Sequence, residues 1–532
     1  MQGTYQGIYQ ANSQENSGEN ARLQCYVGAI AIGDVMKSSF GPRGMDKILQ
    51  SASDEPARKI PVITNDGATI LGKILIDNPA AQILIDMSKR QDQRCGDGTT
   101  GVVILATEIL RRAQQLVEQN LHPQTIVQGL RIAAAAAFKR LDEACLRFGE
   151  DDPQHAEVLL QMAMTTLNSK VLSSDRRHFA QLAVDAVAML KNKNSLQLIN
   201  VVKLAGARLC ESQLVEGILI DKRLAYGAPK TITDARVLLA NTALDADKIK
   251  IYGATACAND YERINELEDA EKRKMLAKIE AIAASGCNVF VNRQLVYDYP
   301  QQLLSQRKIA CLQHADFDGM EALASALGAE IASTFKDSAA VQLGRCGKVE
   351  EVLIAEQRFT RFSQCQKPEA CTVLLRGANE QVLAEAERSL HDALAVVSQT
   401  LQDFRLVHGG GAIEASIASA IAAEAQKLNN KTRLAVEAVA DAFLAIPFII
   451  MQNAGHDAAD CVAQLKQAHG GAAVSDAGAD VDSGAVASMQ EKGVYESYAA
   501  KLYQLRAALE AAEQIIRVDA VIKSAPKQCS PH

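Results

Sequence analysis

The hexapeptide Cys95-Gly96-Asp97-Gly98-Thr99-Thr100 constrains this chain more than any other segment. It stands between the polar run Lys89 to Arg94 and an amphipathic stretch that starts near Val102. Its glycines let the backbone approach an anion closely and present N–H groups to it. Asp97 is a hard oxygen ligand suited to Mg²⁺, and the two threonines add hydroxyls at a helix N-terminus, where phosphate is favoured. Taken alone, the same six residues read equally well as an Asp-Gly turn capped by threonine. Related elements elsewhere in the chain decide between the two.

The length of 532 residues accommodates roughly three domains of ordinary size. Hydrophobic residues at 48% and charged residues at 22% place the chain among globular proteins rather than disordered ones. A net charge of -7 gives no sign of a basic surface for nucleic acid or an anionic membrane. The 12 cysteines are scattered singly with no CxxC pair, so neither a disulfide scaffold nor a thiolate zinc site is expected. A reducing compartment fits, no secretory signal is read at the N-terminus, and the expected location is cytoplasmic. The most apolar stretch, Val439 to Met451, contains Asp441 and Pro447 and reads as too short to span a bilayer. None of the 9 histidines falls in an HExxH pattern, and no Gly-x-Ser-x-Gly elbow accompanies a triad.

Met1 to Asn20, rich in Gln, Asn, Ser and Gly, reads as a mobile tail. A helix is expected from Ala21, broken at Gly41-Pro42-Arg43-Gly44. Val62-Ile63-Thr64 reads as a strand, Asn65-Asp66-Gly67 as a tight turn, and Ala68 as the start of the next helix. After the threonine pair, Val102, Leu105, Ile109, Ala113 and Leu116 share one helix face, with Arg111, Arg112, Gln115 and Glu118 off it. His122-Pro123 stops that run, a further helix begins at Ile132 and extends to Leu146, and Glu150-Asp151-Asp152-Pro153 marks a boundary.

From about Glu216 to Glu369 the texture becomes α/β, with apolar runs at Ile218 to Ile220, Val237 to Ala240 and Val289 to Val291. Within it, Tyr261 to Ile282 is charged from Glu266 to Lys274 and carries only a thin apolar stripe, the pattern of a mostly exposed helix. Long Ala/Leu-rich helices return after Cys371 to Leu375. Aromatic content is 4% with no Trp, so their cores must close on small and aliphatic side chains. Ala-rich segments such as Ile132 to Leu141 and Leu505 to Ile515, with Val518 to Ile522, are expected to be poorly stable as the surface of an isolated protomer. That points to an oligomer.

Four motifs then coincide: Gly41-Pro42-Arg43-Gly44-Met45-Asp46-Lys47, Asn65-Asp66-Gly67-Ala68-Thr69, Gly96-Asp97-Gly98-Thr99-Thr100 and Gly409-Gly410-Gly411. Together they resemble the group II chaperonins, the eukaryotic cytosolic chaperonin TRiC/CCT and the archaeal thermosome. The resemblance runs from about Ala21 to Lys527. A second set points to one subunit type of the eukaryotic complex: Asp77 to Ala80, Tyr299-Pro300, His314 to Phe317, Ser389 to Leu394 and Ile516 to Asp519. The resemblance implies a multidomain α/β fold with a mainly helical ATPase domain, in the family's equatorial, intermediate and apical architecture. Its implied layout is a tail over 1–20, equatorial parts over 21–151 and 405–532, and intermediate parts over 152–215 and 370–404. An apical substrate-binding domain would cover 216–369, with a helical protrusion at about 255–282.

The resemblance also implies an ATPase that uses ATP and Mg²⁺ to fold non-native proteins, actin and tubulin among them. It would stand beside seven paralogous subunits in two stacked eight-membered rings, with no nucleic acid or membrane as partner. Position by position, Gly41, Pro42 and Gly44 correspond to the family's phosphate loop, Asp97 to its Mg²⁺ ligand, and Gly98, Thr99 and Thr100 to residues around the phosphates. Asp66 stands for a second essential carboxylate, Asp392 for the aspartate that orients the attacking water, and Lys170 for the γ-phosphate sensor. Gly410 and Gly411 would line the nucleotide, with Asp480 and Glu496 near ribose and base; Gln301, Leu303, Leu304 and Arg307 would meet clients.

The chain departs from the family pattern at Gln93, Arg94 and Cys95, and at Ser488. Arg94 is thereby expected to bring positive charge near the phosphates, and Ser488 to alter nucleotide affinity. These departures leave open a ring subunit with a weak or silent site, and a homo-oligomeric archaeal-type chaperonin is a further alternative.

Overall fold

The computed structural model describes residues 14–50, 61–149, 155–190, 196–225, 227–244, 261–335, 342–365, 370–471 and 474–523. The chain divides into two compact units, Met1–Ala180 with Arg388–His532, and Gln181–Glu387. The expected boundary at Glu150 to Pro153 lies outside the described residues.

The first unit is built on helices from both ends of the chain. Glu19–Lys37, Pro79–Cys95, Thr99–Glu118 and Pro123–Glu143 share one apolar core with Ala412–Gln426, Thr432–Ala454 and Tyr498–Ile516. The helix Thr99–Glu118 is the axis of this core. Its expected face is buried, and so are Val103, Ile104, Ala106 and Leu110. Helices pack against it from several sides, so its first three turns are enclosed all round rather than along one stripe. Small residues permit the close approach: a Cβ on Gly129 would lie 2.5 Å from the Ala435 Cβ across the helix pair.

Several expectations change here. The tail read to Asn20 is structured from Gln14: Gln14–Ser17 pairs antiparallel with Ala520–Lys523, and the first helix starts at Glu19. Local composition carried no sign of a partner strand from the opposite end of the chain. The helix expected from Ile132 starts at Pro123, where His122 accepts a hydrogen bond from the Gln124 N–H at 3.1 Å. The proline that stops one helix opens the next, because its missing N–H would be unsatisfied there anyway. That helix ends at Glu143, and Leu146–Arg147 is a strand paired with Arg405–His408. The Ala-rich segments expected as unstable surface bury Ala133, Ala137, Leu141, Ala508 and Ala512 completely. The stretch read as too short for a bilayer belongs to the 23-residue helix Thr432–Ala454, which by length and composition could cross one. In this fold 67% of its apolar window is buried.

Among the described residues the second unit holds two sheets. Ile199–Ala205, Cys371–Gly377 and Gln213–Glu216 form one, with the Cys371 strand central. Beyond Gly217 the chain enters a seven-stranded mixed sheet, in which Thr231–Ala240 pairs parallel with Val289–Asn292 and antiparallel with Gly344–Ile354. The apolar runs read from the sequence are its buried strands. Tyr261–Ala284 is one helix; Asp269, Ala270 and Lys272 to Lys274 are exposed, while Ile279 and Ile282 are fully buried. The part of the protrusion expected over 255–260 lies outside the described residues.

Candidate nucleotide site

The first unit contains a cavity of about 670 Å³, within the size range of small-molecule sites. Its wall brings together Gly41, Pro42, Asp97, Gly98, Thr99, Thr100, Lys170, Gly410, Asp480 and Glu496, ten of the positions singled out in the sequence.

One wall is the start of the helix Thr99–Glu118. Gly98 precedes it in the left-handed conformation, φ 78°, which a side chain would strain. Asp97 accepts a hydrogen bond from the Gly98 N–H at 2.6 Å, and its carbonyl accepts from Gln91 Nε2 at 2.8 Å. Because no side chain caps this helix, its first N–H groups remain available to an anion.

Asp66 stands behind this wall and caps the helix Gly67–Lys73. Its carboxylate accepts from the Thr69 N–H at 2.9 Å and hydroxyl at 2.7 Å, and from the Thr99 hydroxyl at 3.0 Å. Burial opposes its charge, but Lys170 and these hydrogen bonds outweigh burial and hold the carboxyl below its ordinary range. Asp66 does not itself line the cavity.

Lys170 and Asp392 form a buried ion pair at 2.7 Å, with side chains 9% and 7% exposed. Burial would depress the lysine, yet Asp392, Asp66 and Asp97 hold it above its ordinary value, so it stays charged. Burial, with Asp66 and Asp97 as like charges, raises Asp392 well above the carboxylate range against the pull of Lys170. His391 beside it is exposed.

The far wall is assembled from Gly410, Asp480, Met489 and Glu496. Asp480 accepts from Ser483 at 2.6 Å and pairs with Lys492 at 3.0 Å; burial works against its charge, but these contacts hold its carboxyl low. Gly411 caps the helix Ala412–Gln426 at φ 77°, and a Cβ there would lie 2.7 Å from the Pro447 Cβ. Gly44 and Gly411 shape the walls without lining them. The Gly44 N–H closes the loop onto Gly41 O at 3.0 Å, and Asn453 Nδ2 fixes the preceding helix end through the carbonyls of Lys37 and Phe40, both at 2.8 Å.

Among the lining residues to which sequence reasoning gave no role are Asn65, Lys501, Met489 and Gln504. Asn65, 7% exposed, donates to Ser169 O while its buried Oδ1 has no hydrogen-bond partner among the described residues. Lys501 joins buried Glu414 at 2.5 Å and half-buried Glu496 at 2.6 Å in a triad. Met489 and Gln504 complete the wall. Asn65 lay inside a quoted motif and Met489 stands beside Ser488 at a position the resemblance sets near the base; Lys501 and Gln504 carried no local signal.

The departures from the family pattern stand outside this wall. Arg94 is exposed, with its guanidinium stacked 4.7 Å from the Tyr503 ring centroid, and Cys95 is buried. Ser488 caps the short helix Met489–Lys492 and donates to Asp476. Arg94→Ala is therefore expected to leave ATP affinity within about twofold, a surface change of under about 0.5 kcal/mol; titrating nucleotide against the variant checks it.

In the second unit, Gln301, Leu303 and Arg307 keep some exposure on or beside the helix Asp298–Gln306, and Arg307 pairs with Glu280 at 3.6 Å. Leu304, expected to meet clients, is 0% exposed and belongs to the core beneath that helix, because the helical period turns it inward. Tyr297 and Tyr299, 47% and 41% exposed, offer apolar surface beside it instead.

ATP and Mg²⁺ fit the first unit's donor set. Its wall offers an uncapped helix N-terminus, a glycine cradle, the hard oxygen ligand Asp97, a buried lysine and an unpartnered buried amide oxygen.

The sequence model of the TCP-1/cpn60 chaperonin family matches residues 32–526. The chain is 46% identical over 509 residues to T-complex protein 1 subunit beta of Saccharomyces cerevisiae, covering 95% of each chain. It is 48% identical over 507 residues to that of Caenorhabditis elegans, again covering 95% of each. The human subunit is 46% identical over 511 residues, covering 96% of this chain and 95% of its own. All three are beta subunits, the subunit type that the motifs from Asp77 to Asp519 resemble. By motif, by fold and by similarity along nearly its whole length, the chain belongs to the TCP-1/cpn60 chaperonin family.

Proposed function

We propose that the cavity binds ATP with Mg²⁺ and that this chain is one of eight different subunits in each of two stacked rings. As a family member the chain is a cytoplasmic, ATP-dependent protein-folding ATPase. The observation that carries the site assignment is the convergence of the Asp97 loop, Gly41 and Lys170 on one cavity, with Asp392 paired to Lys170 just behind its wall.

In this reading Asp97 holds the metal. Mg²⁺ offsets phosphate charge when bound. Gly41, Pro42, Gly98, Thr99 and Thr100 cradle the phosphates, with Gly44 closing their loop. Gly410, Gly411, Asp480 and Glu496 enclose ribose and base. Lys170 meets the γ-phosphate, and Asp392 accepts a hydrogen bond from the attacking water and orients it, with Asp66 as the second carboxylate. Asp392 lies in the helix Glu380–Gln402, through which the chain returns from the second unit to the first. Hydrolysis is thereby coupled to movement of that helix and to closure of a lid over the client. The three-domain layout is part of this proposal, with an apical domain over 216–369; the change of sheet at Gly217 supports it. Non-native clients such as actin and tubulin would meet Gln301, Leu303 and Arg307.

The test uses the assembled complex with Asp97→Ala in this chain only, photolabelled with 8-azido-ATP in the presence of Mg²⁺. The expected result is labelling of the unmodified chain and its loss in the variant. Equal labelling of both would refute the site, and native mass measurement of the same complex tests the sixteen-subunit assembly.

A further inference from the structure

One lining side chain has no task in this reading. Gln504, in the helix Tyr498–Ile516, is 6% exposed and reaches the cavity. Its carboxamide has no hydrogen-bond partner among the described residues. Its neighbours are accounted for: Lys501 is held by Glu414 and Glu496, and Leu505 is in the core. The carboxamide opens into the cavity, so water or a bound molecule there supplies its hydrogen bonds.

Its placement narrows the choice. A Cβ on Gly101 would lie 2.7 Å from Gln504 Nε2, and one on Gly98 would lie 3.5 Å from Oε1. The carboxamide therefore rests on the first turn of the helix Thr99–Glu118, in space that two missing side chains leave open. That turn points unpaired N–H groups into the same cavity, where negative charge is favoured.

Resting on the assignment of the cavity to ATP, we infer that Gln504 contacts the nucleotide, with Nε2 donating a hydrogen bond to a phosphate oxygen beside this helix N-terminus. Gly101 is its steric condition, since any side chain there displaces the carboxamide. A neutral donor at this point adds a directed contact without adding charge to a site already holding Lys170.

The experiment uses the assembled complex with Gln504→Met in this chain, which keeps the side chain's length and removes its donor. The concentration of 8-azido-ATP that half-labels this chain should rise about tenfold, as should that of competing ADP. The melting temperature without nucleotide should not fall, while the rise produced by ADP should shrink. Gly101→Ala should weaken labelling similarly, and should add nothing further in a Gln504→Ala background. Half-labelling at the unmodified concentration in Gln504→Met overturns the inference. So does a lower melting temperature with unchanged labelling, which would make Gln504 a packing residue. If the unmodified chain takes no label, the ATP assignment itself fails, an outcome distinct from either.

Discussion

Replacing Asp392 by Asn is expected to lower ATP hydrolysis at this chain's site by about 10²–10⁴-fold, the usual range for a positioned proton acceptor, while ATP still binds. The carboxylate is buried against Lys170 at 2.7 Å and does not line the nucleotide cavity, so its loss leaves the binding wall intact. Asn keeps the shape but cannot hold the charge that orients water for in-line attack. Single-turnover hydrolysis by complex carrying the variant in this chain alone, beside photolabelling for binding, reads both effects. Undiminished turnover would remove Asp392 from the mechanism. The pH profile supplies a second readout. Burial and the neighbouring Asp66 and Asp97 raise the Asp392 carboxyl, so hydrolysis should be lost on acidification at a pH above the ordinary carboxylate range. Asp66→Asn removes a like charge and should move that acidic limb lower; Lys170→Met removes the stabilising cation and should move it higher.

Lys501→Met is expected to destabilise the nucleotide-free protein by about 3–5 kcal/mol, because it strands buried carboxylates without their counter-charge. The lysine is 12% exposed and bonds both Glu414, at 5%, and Glu496, at 30%. Burial works against charge on both Lys501 and Glu496, and it is their mutual attraction, with Glu414, that keeps the lysine protonated. Once the lysine is gone, burial and the neighbouring Glu414 charge leave Glu496 favouring its protonated form in the folded state. The deficit should therefore be largest near neutrality and shrink as pH falls. Adding Glu414→Gln and Glu496→Gln should recover much of the loss, since neutral groups of similar shape need no counter-charge. Thermal melting of the three proteins across pH checks the sign; a deficit that grows on acidification would contradict it.

The contiguous parts of the site were legible in the chain because each carries its own local reason. Gly98 needs a left-handed backbone, Asp66 caps the helix that follows it, and Thr99 opens a helix with its N–H groups free. A short unbroken apolar run marked the strand at Val237 to Ala240, and a helical apolar period marked the face of Val102 to Leu116, since periodicity records which face meets the core. It failed at Leu304, where a polar neighbourhood concealed an inward-facing position, and at Ile132, where alanines blurred the start of a helix already under way from Pro123.

Sequence alone determined the family, because its motifs depend on residue type and short spacing, and through that resemblance it marked the Gly41 and Asp97 loops and the carboxylates Asp66 and Asp392 as candidates. Tertiary structure decided what distant segments do to one another. It paired Gln14–Ser17 with Ala520–Lys523, turned Arg94 away onto Tyr503, and locked Lys501 between Glu414 and Glu496. It also set Gln504 over Gly101, more than four hundred residues earlier in the chain. Such contacts depend on packing across long loops, whose closure no local pattern encodes, and on desolvation, which gives a buried charge its strength only after the core has formed.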